Sequence, residues 1–149
     1  MIDRTKIAGA LYGVALGDAL GRDAEFMYTM RAIWARYGRT GHMQFPRPAL
    51  FTDDTQMTLA VARAPGVARS LTPRELARTT RVEFIQWANV DERRAPGRTC
   101  MSAIRNLERG IRWQDATIVK SKGCGANMRV SPAAFISDED VMRGYSQLQ

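Results

Sequence analysis

The chain has 149 residues, 45% of them hydrophobic and 25% charged, with a formal net charge of +7. Length and composition suit one globular domain able to bury a core, and they exclude global disorder. The basic balance favours anionic partners such as phosphates, nucleotides, nucleic acid or a membrane surface without choosing among them. The arginines are scattered rather than blocked into a tail, as on an ordinary solvated surface.

Two cysteines, Cys100 and Cys124, stand in no metal-type spacing, so a reducing cytoplasm is expected rather than a disulfide framework. His42 is the sole histidine, which removes histidine-rich zinc sites and catalysis built on several histidines. Any metal here must rest on oxygen ligands, which favours magnesium, manganese or calcium. Ile7 to Leu20 is apolar after Arg4 and Lys6, but Asp18 interrupts it and it is too short to span a bilayer.

In chain order the predicted elements are helices. The first covers Thr5 to Gly21 with Asp3 as cap, and carries an apolar stripe at Ile7, Leu11, Val14, Ala15 and Ala19. Gly9, Gly13, Gly17 and Gly21 share one face, each glycine costing about 1 kcal/mol against alanine. Close approach of another helix, or of a ligand, is the expected compensation. After Arg22 the pattern loosens, with a short helix over Met30 to Tyr37. A helix is predicted from Asp53 or Asp54 to about Arg63, ended by Ala64-Pro65-Gly66. The next begins with Thr72 as cap, Pro73 in the first turn and Glu75 completing a capping box; Leu76, Thr80, Phe84 and Trp87 share its inner face. Asp91 to Arg98 reads as a polar loop. Thr99 opens a further helix, which Gly110 closes. Gly123-Cys124-Gly125 lies in a loop, and Ser137 or Asp138 caps a final helix. No stretch alternates as a strand does, so the fold class is all-α.

Three segments carry chemistry. Phe51-Thr52-Asp53-Asp54-Thr55-Gln56-Met57 packs two carboxylates between two hydroxyls, a supply of hard oxygen that a divalent cation wants. Asp53 with Gln56 also fits a capping box, the reading that spacing alone favours. Gly17 to Glu25 places three acids after the glycine-faced helix, and Glu25 is a candidate general base. Ser121-Lys122-Gly123-Cys124-Gly125 is a glycine turn before a helix, whose backbone N–H groups can cradle phosphate oxygens. It is neither a Walker A loop nor a dinucleotide fingerprint.

Together these pieces resemble the ADP-ribosylglycohydrolase family, including its dinitrogenase reductase-activating members. The resemblance rests on Gly13-Val14-Ala15-Leu16-Gly17-Asp18-Ala19-Leu20-Gly21 with Glu25, on the Phe51–Met57 segment, on Ala95-Pro96-Gly97-Arg98-Thr99-Cys100, and on Lys122 to Pro132, in that order. It implies a compact all-α domain over residues 1–149 with two Mg2+ or Mn2+ ions. It implies hydrolysis of the glycosidic bond between ADP-ribose and a modified side chain, or of a related ADP-ribose conjugate. On it, Thr52, Asp53 and Asp54 are metal ligands, Glu25 and Asp54 act at the scissile bond, and Ser121, Gly123, Cys124 and Gly125 hold the diphosphate. In several members an asparagine occupies the place of Cys124.

Family members run to about twice this length, in the domain-size sense, and carry a second acidic segment of the type Gly-Asp-x-Asp. None is present here. The chain is therefore expected to be the N-terminal part of such a domain, ending before its C-terminal helices, with an incomplete second metal site. Two further readings follow: a non-catalytic ADP-ribose or nucleotide binder, and an inactive remnant that self-associates through the face where the missing half would sit. A membrane partner is not expected, and nucleic acid is disfavoured because no helix interleaves arginines with aromatics.

Overall fold

The computed structural model describes residues 3–41, 44–121 and 123–149; His42 and Lys122, singled out above, lie outside the described residues. Every regular element among them is helical, as the periodicity predicts. Among the described residues eight α-helices run α1 Arg4–Gly21, α2 Met30–Tyr37, α3 Asp53–Val67, α4 Pro73–Ala88, α5 Arg98–Glu108, α6 Trp113–Ala116, α7 Gly125–Arg129 and α8 Glu139–Gln147. Short 3-10 turns follow α1 and α7. No helix among the described residues is long and apolar enough to cross a membrane.

α3 is the hub. Met57, Ala60, Val61 and Ala64 on it are fully buried, and α4, α1 and α7 pack around it. Small residues at 60 and 64 let α4 approach closely. Leu76, Thr80, Phe84 and Trp87 of α4 are buried as a single face, with Ile104 and Leu107 of α5 behind them.

Several helix ends follow the sequence signals. Asp3 accepts the Thr5 N–H at 2.8 Å, Thr29 the Ala32 N–H at 3.2 Å and Asp138 the Val141 N–H at 3.0 Å, each satisfying a donor the first turn leaves open. Two expected capping boxes do not form. Glu75 turns outward to the Arg69 N–H and the Arg78 guanidinium. Asp53 lies inside α3 rather than at its cap, and Gln56 bonds elsewhere.

Pro65 does not end α3, which continues to Val67. A proline cannot donate to the carbonyl four residues back, here that of Val61. The Tyr145 hydroxyl fills that role from α8, donating to Val61 O at 2.7 Å. Tyr145 is fully buried and accepts from Thr80 Oγ1 at 3.3 Å. Burial holds its hydroxyl at about 12, so it remains a donor at any physiological pH.

The glycine row of α1 has no close partner. A Cβ at Gly9, Gly13, Gly17 or Gly21 would meet nothing within 4 Å. The expected tight helix contact on this face is thus absent among the described residues. Only Ala19 of α1 is buried, while Tyr12 and Leu16 are exposed.

Candidate functional site: an acidic cleft at the start of α3

The site is built on the N-terminus of α3. A helix start leaves N–H groups without partners and carries partial positive charge. Here the cap comes from another helix. Asp18, in the last turn of α1, accepts from Thr52 N (2.8 Å), Thr52 Oγ1 (2.7 Å), Thr55 N (3.1 Å) and Thr55 Oγ1 (2.6 Å). One carboxylate thus spends its acceptor sites on Thr52 and Thr55 and pins α1 to α3. The intervening residues, Asp53 and Asp54, are free to face the cleft.

Asp53 is buried, and its Oδ2 accepts the Gly97 N–H at 3.3 Å. Gln56 secures the loop that supplies this donor. Its Oε1 accepts from Trp87 Nε1 and Arg94 N, both at 3.1 Å, and its Nε2 donates to Glu92 O at 2.8 Å. Arg94 covers the Phe51 ring at 4.3 Å. The residue read as a capping partner is therefore the bracket between α3 and the 91–97 loop.

A cavity of about 470 Å³ opens here. Glu25, Asp53 and Asp54 form its acidic side, Pro96 to Arg98 one wall, and Gly123, Cys124 and Gly125 the wall beyond. A second cavity of about 280 Å³ adjoins it, lined by Asp18, Glu25 and Asp54 with Gly17 and Gly21 of α1. Two members of the glycine row thus border open space beside the acids.

The acids form a cluster of negative charge, with the Arg129 guanidinium acting on Asp53 from a distance. Among the described residues, no salt bridge involves Asp18, Glu25, Asp53 or Asp54. Burial pushes Asp53 up to about 6, opposed by the Gly97 N–H and reinforced by Asp54. Burial and Asp18 raise Asp54; burial, Asp54 and Asp18 raise Glu25. Carboxylates that raise one another favour a proton or a cation between them. Asp53 and Asp54 bring hard-oxygen donors of the kind a divalent ion takes to the cavity, whereas Thr52 is buried, lines neither cavity and donates its hydroxyl to Asp18. Among the described residues no group of three or more acids, histidines or cysteines is gathered tightly enough to hold a metal alone.

The glycine loop lines the same cavity as the acids. Ser121 does not line the cavity; its hydroxyl accepts the Gly123 N–H at 3.1 Å and donates to Thr99 Oγ1 at 3.2 Å, setting the loop on α5. A Cβ at Gly123 would come within 3.3 Å of that hydroxyl, a tight contact that the serine side chain would have to ease by a small shift. Beneath the loop, Arg129 lies over the Phe84 ring at 4.9 Å and beside the Met57 and Cys100 sulfurs. Burial depresses its guanidinium and raises the Cys100 thiol. Asp18 and Gln56 are the residues whose parts the sequence reading missed. The spacing Gly17-Asp18 is visible in the sequence, but a cap supplied across 34 residues is not.

The class defined so far is an all-helical protein whose cleft is lined by a cluster of acids together with a glycine turn. Comparison with known proteins narrows this. The ADP-ribosylglycohydrolase family model matches residues 2–148, and the chain belongs to that family. It is 34% identical over 135 residues to the ADP-ribosyl-[dinitrogen reductase] glycohydrolase of Rhodospirillum rubrum, covering 85% of this chain and 43% of the relative. It is 30% identical over 137 residues to an uncharacterised protein of Archaeoglobus fulgidus, covering 88% of this chain and 43% of that one. The chain therefore spans less than half the length of these relatives. No solved structure matches it.

Proposed function

We propose that this chain carries the metal-binding acids and diphosphate loop of a hydrolase that cleaves the glycosidic bond between ADP-ribose and a modified protein side chain, or a related ADP-ribose conjugate. The observation that carries the reading is that Glu25, Asp53 and Asp54 line one cavity together with Gly123, Cys124 and Gly125. Family membership supports it, and the activity for which the Rhodospirillum relative is named supplies the substrate class.

Asp53 and Asp54 would hold Mg2+ or Mn2+, in a pair of sites whose remaining ligands are not among these residues. Such ions, when bound, polarise ribose hydroxyls and lower the pKa of a water. Asp18 fixes the α3 terminus so that its neighbours hold their positions. The Gly97 N–H orients Asp53. The N–H groups of Cys124 and Gly125 take diphosphate oxygens, while that of Gly123 is held by the Ser121 hydroxyl and sets the turn. Glu25, at the rim with its carboxyl raised, can hold or accept a proton near the leaving group. The free thiols of Cys100 and Cys124 fit a cytoplasmic setting. The test is chromatographic detection of free ADP-ribose after mixing the protein with an ADP-ribosylated protein and Mg2+ or Mn2+. Release that Asp53→Ala with Asp54→Ala abolishes is expected. Equal release by wild type and the double variant sinks the assignment of these acids.

A second reading has its own support. With no group of three such ligands among the described residues, the chain can be an ADP-ribose binder that does not hydrolyse. Titration calorimetry separates the two: ADP-ribose binding independent of metal, without release, favours the binder.

A further inference from the structure

A cavity of about 750 Å³, larger than the acidic cleft, lies between α4, the end of α5 and α6. It falls in the size range of small-molecule sites. None of the residues discussed for the cleft lines it. α5 separates the two sites: its Arg98 and Cys100 line the cleft and its Leu107 lines the cavity. At 1.5 Å per residue, Cys100 and Leu107 lie ~10 Å apart along the axis.

Its chemistry is specific. Arg74, Arg78 and Arg81 stand at spacings of four and three on α4 and so share one face, with Arg112 opposite. Glu75 engages Arg78, and Asp115 engages Arg112. Arg74 and Arg81 have no carboxylate partner among the described ion pairs. Their Cα atoms are ~10 Å apart along the helix axis, a span two arginine side chains can close from either side, and each offers a planar fork that bonds two oxygens. Between the arginines lie Ala77, Leu107 and Ile111, and the Trp113 side chain, 38% exposed, forms an aromatic side. Trp113 sits on a fixed turn: Ala116 of α6 is buried, and its carbonyl accepts from Asn106 Nδ2 at 3.1 Å. Arginines lining a concave site with an apolar floor and an indole wall differ from a solvated basic surface. An acidic peptide would use the cations and leave the indole and floor idle. A planar ring bearing phosphate uses all three.

We propose that this groove is a second ligand site, for a nucleoside phosphate, with phosphate oxygens on Arg74 and Arg81 and the base against Trp113 and the Leu107–Ile111 floor. The site is independent of the cleft reaction. Calorimetric titration of the protein with AMP, adenosine, inorganic phosphate and a glutamate-rich peptide tests it. AMP is expected to bind at least tenfold more tightly than adenosine or phosphate alone. Arg74→Ala with Arg81→Ala, and separately Trp113→Leu, are expected to weaken AMP at least tenfold. Release of ADP-ribose in the cleft assay is unchanged by the groove variants, which separates failure here from failure of the hydrolase reading. Arg74, Arg81 and Trp113 are not buried, and far-ultraviolet circular dichroism verifies that the variants fold. No AMP binding at millimolar concentration overturns the proposal. So does AMP binding insensitive to the groove variants, or a peptide that binds more tightly than AMP.

Discussion

Replacing Asp18 by alanine removes one carboxylate and strands four donors at the start of α3. Hydrogen bonds to a charged group contribute about 1.5–3 kcal/mol each. Four such bonds set an upper range of about 6–12 kcal/mol, which the real loss cannot reach. The two threonine hydroxyls can turn elsewhere, water reaches the part-buried site, and contributions within one network do not add. Loss of a helix cap alone costs about 1–2 kcal/mol. The expected cost of Asp18→Ala is therefore about 3 kcal/mol, between the cap value and the sum of bonds. For a domain of this size that lowers Tm by about 6–12 °C. Asp18→Asn keeps one acceptor oxygen and loses the charge, so about half the loss is expected. Urea unfolding followed by circular dichroism at constant m-value measures both. A loss below about 0.5 kcal/mol for the alanine variant, the range of ordinary surface changes, would refute the idea that α1 caps α3.

Other consequences are as direct. Asp53 titrates at about 6 when folded against an ordinary 3.8. A carboxyl raised by folding binds more protons in the native state between those values, so the protein loses stability as pH rises from about 4 to about 6. With chelator present, Asp53→Asn should reduce that slope, leaving the part that the raised Asp54 and Glu25 carry in the same sense, and stabilise the protein at pH 7 by on the order of 1 kcal/mol, after discount for solvent screening; Tm measured across pH checks it, and an unchanged slope refutes it. Tyr145→Phe leaves the Val61 carbonyl without its donor beside Pro65 and should cost about 1–3 kcal/mol by urea unfolding; with Pro65→Ala as background, which restores a backbone N–H, the cost should shrink. Gly9→Ala and Gly13→Ala should each stabilise α1 by about 0.5–1 kcal/mol, because no atom stands where the methyl would go; destabilisation would reveal a partner on that face, and sedimentation would show whether it is a second copy.

Local signals in the sequence located the helices well, because caps and periodicity act within a few residues. Asp3, Pro73 and Asp138 mark their helix starts, and Met30–Tyr37 appears as its composition suggests. The five-residue α7 and four-residue α6 are too short to show a period. Pro65 misleads because its penalty is met by Tyr145, 80 positions later. Gln56 misleads because its three partners come from Trp87, Glu92 and Arg94 rather than from its own helix turn. For the site, the acids and glycine turn are legible as motifs, and the structure brings Glu25, Asp53, Asp54 and Gly123–Gly125 to one cavity. Their order around it is not legible, since it depends on α1 docking through Asp18 and on a loop held by Gln56. The glycine row is the reverse case: the sequence suggests a packed face, and the structure leaves it open beside the acids.

Cleavage of an ADP-ribosylated protein in 18O-labelled water, with Mn2+ present and products read by mass spectrometry, tests the central claim most directly. Hydrolysis at the glycosidic bond with attack at the ribose carbon gives free ADP-ribose carrying one 18O atom, lost on Asp54→Asn. AMP as product, label in phosphate, or no ADP-ribose from the wild-type chain would contradict it.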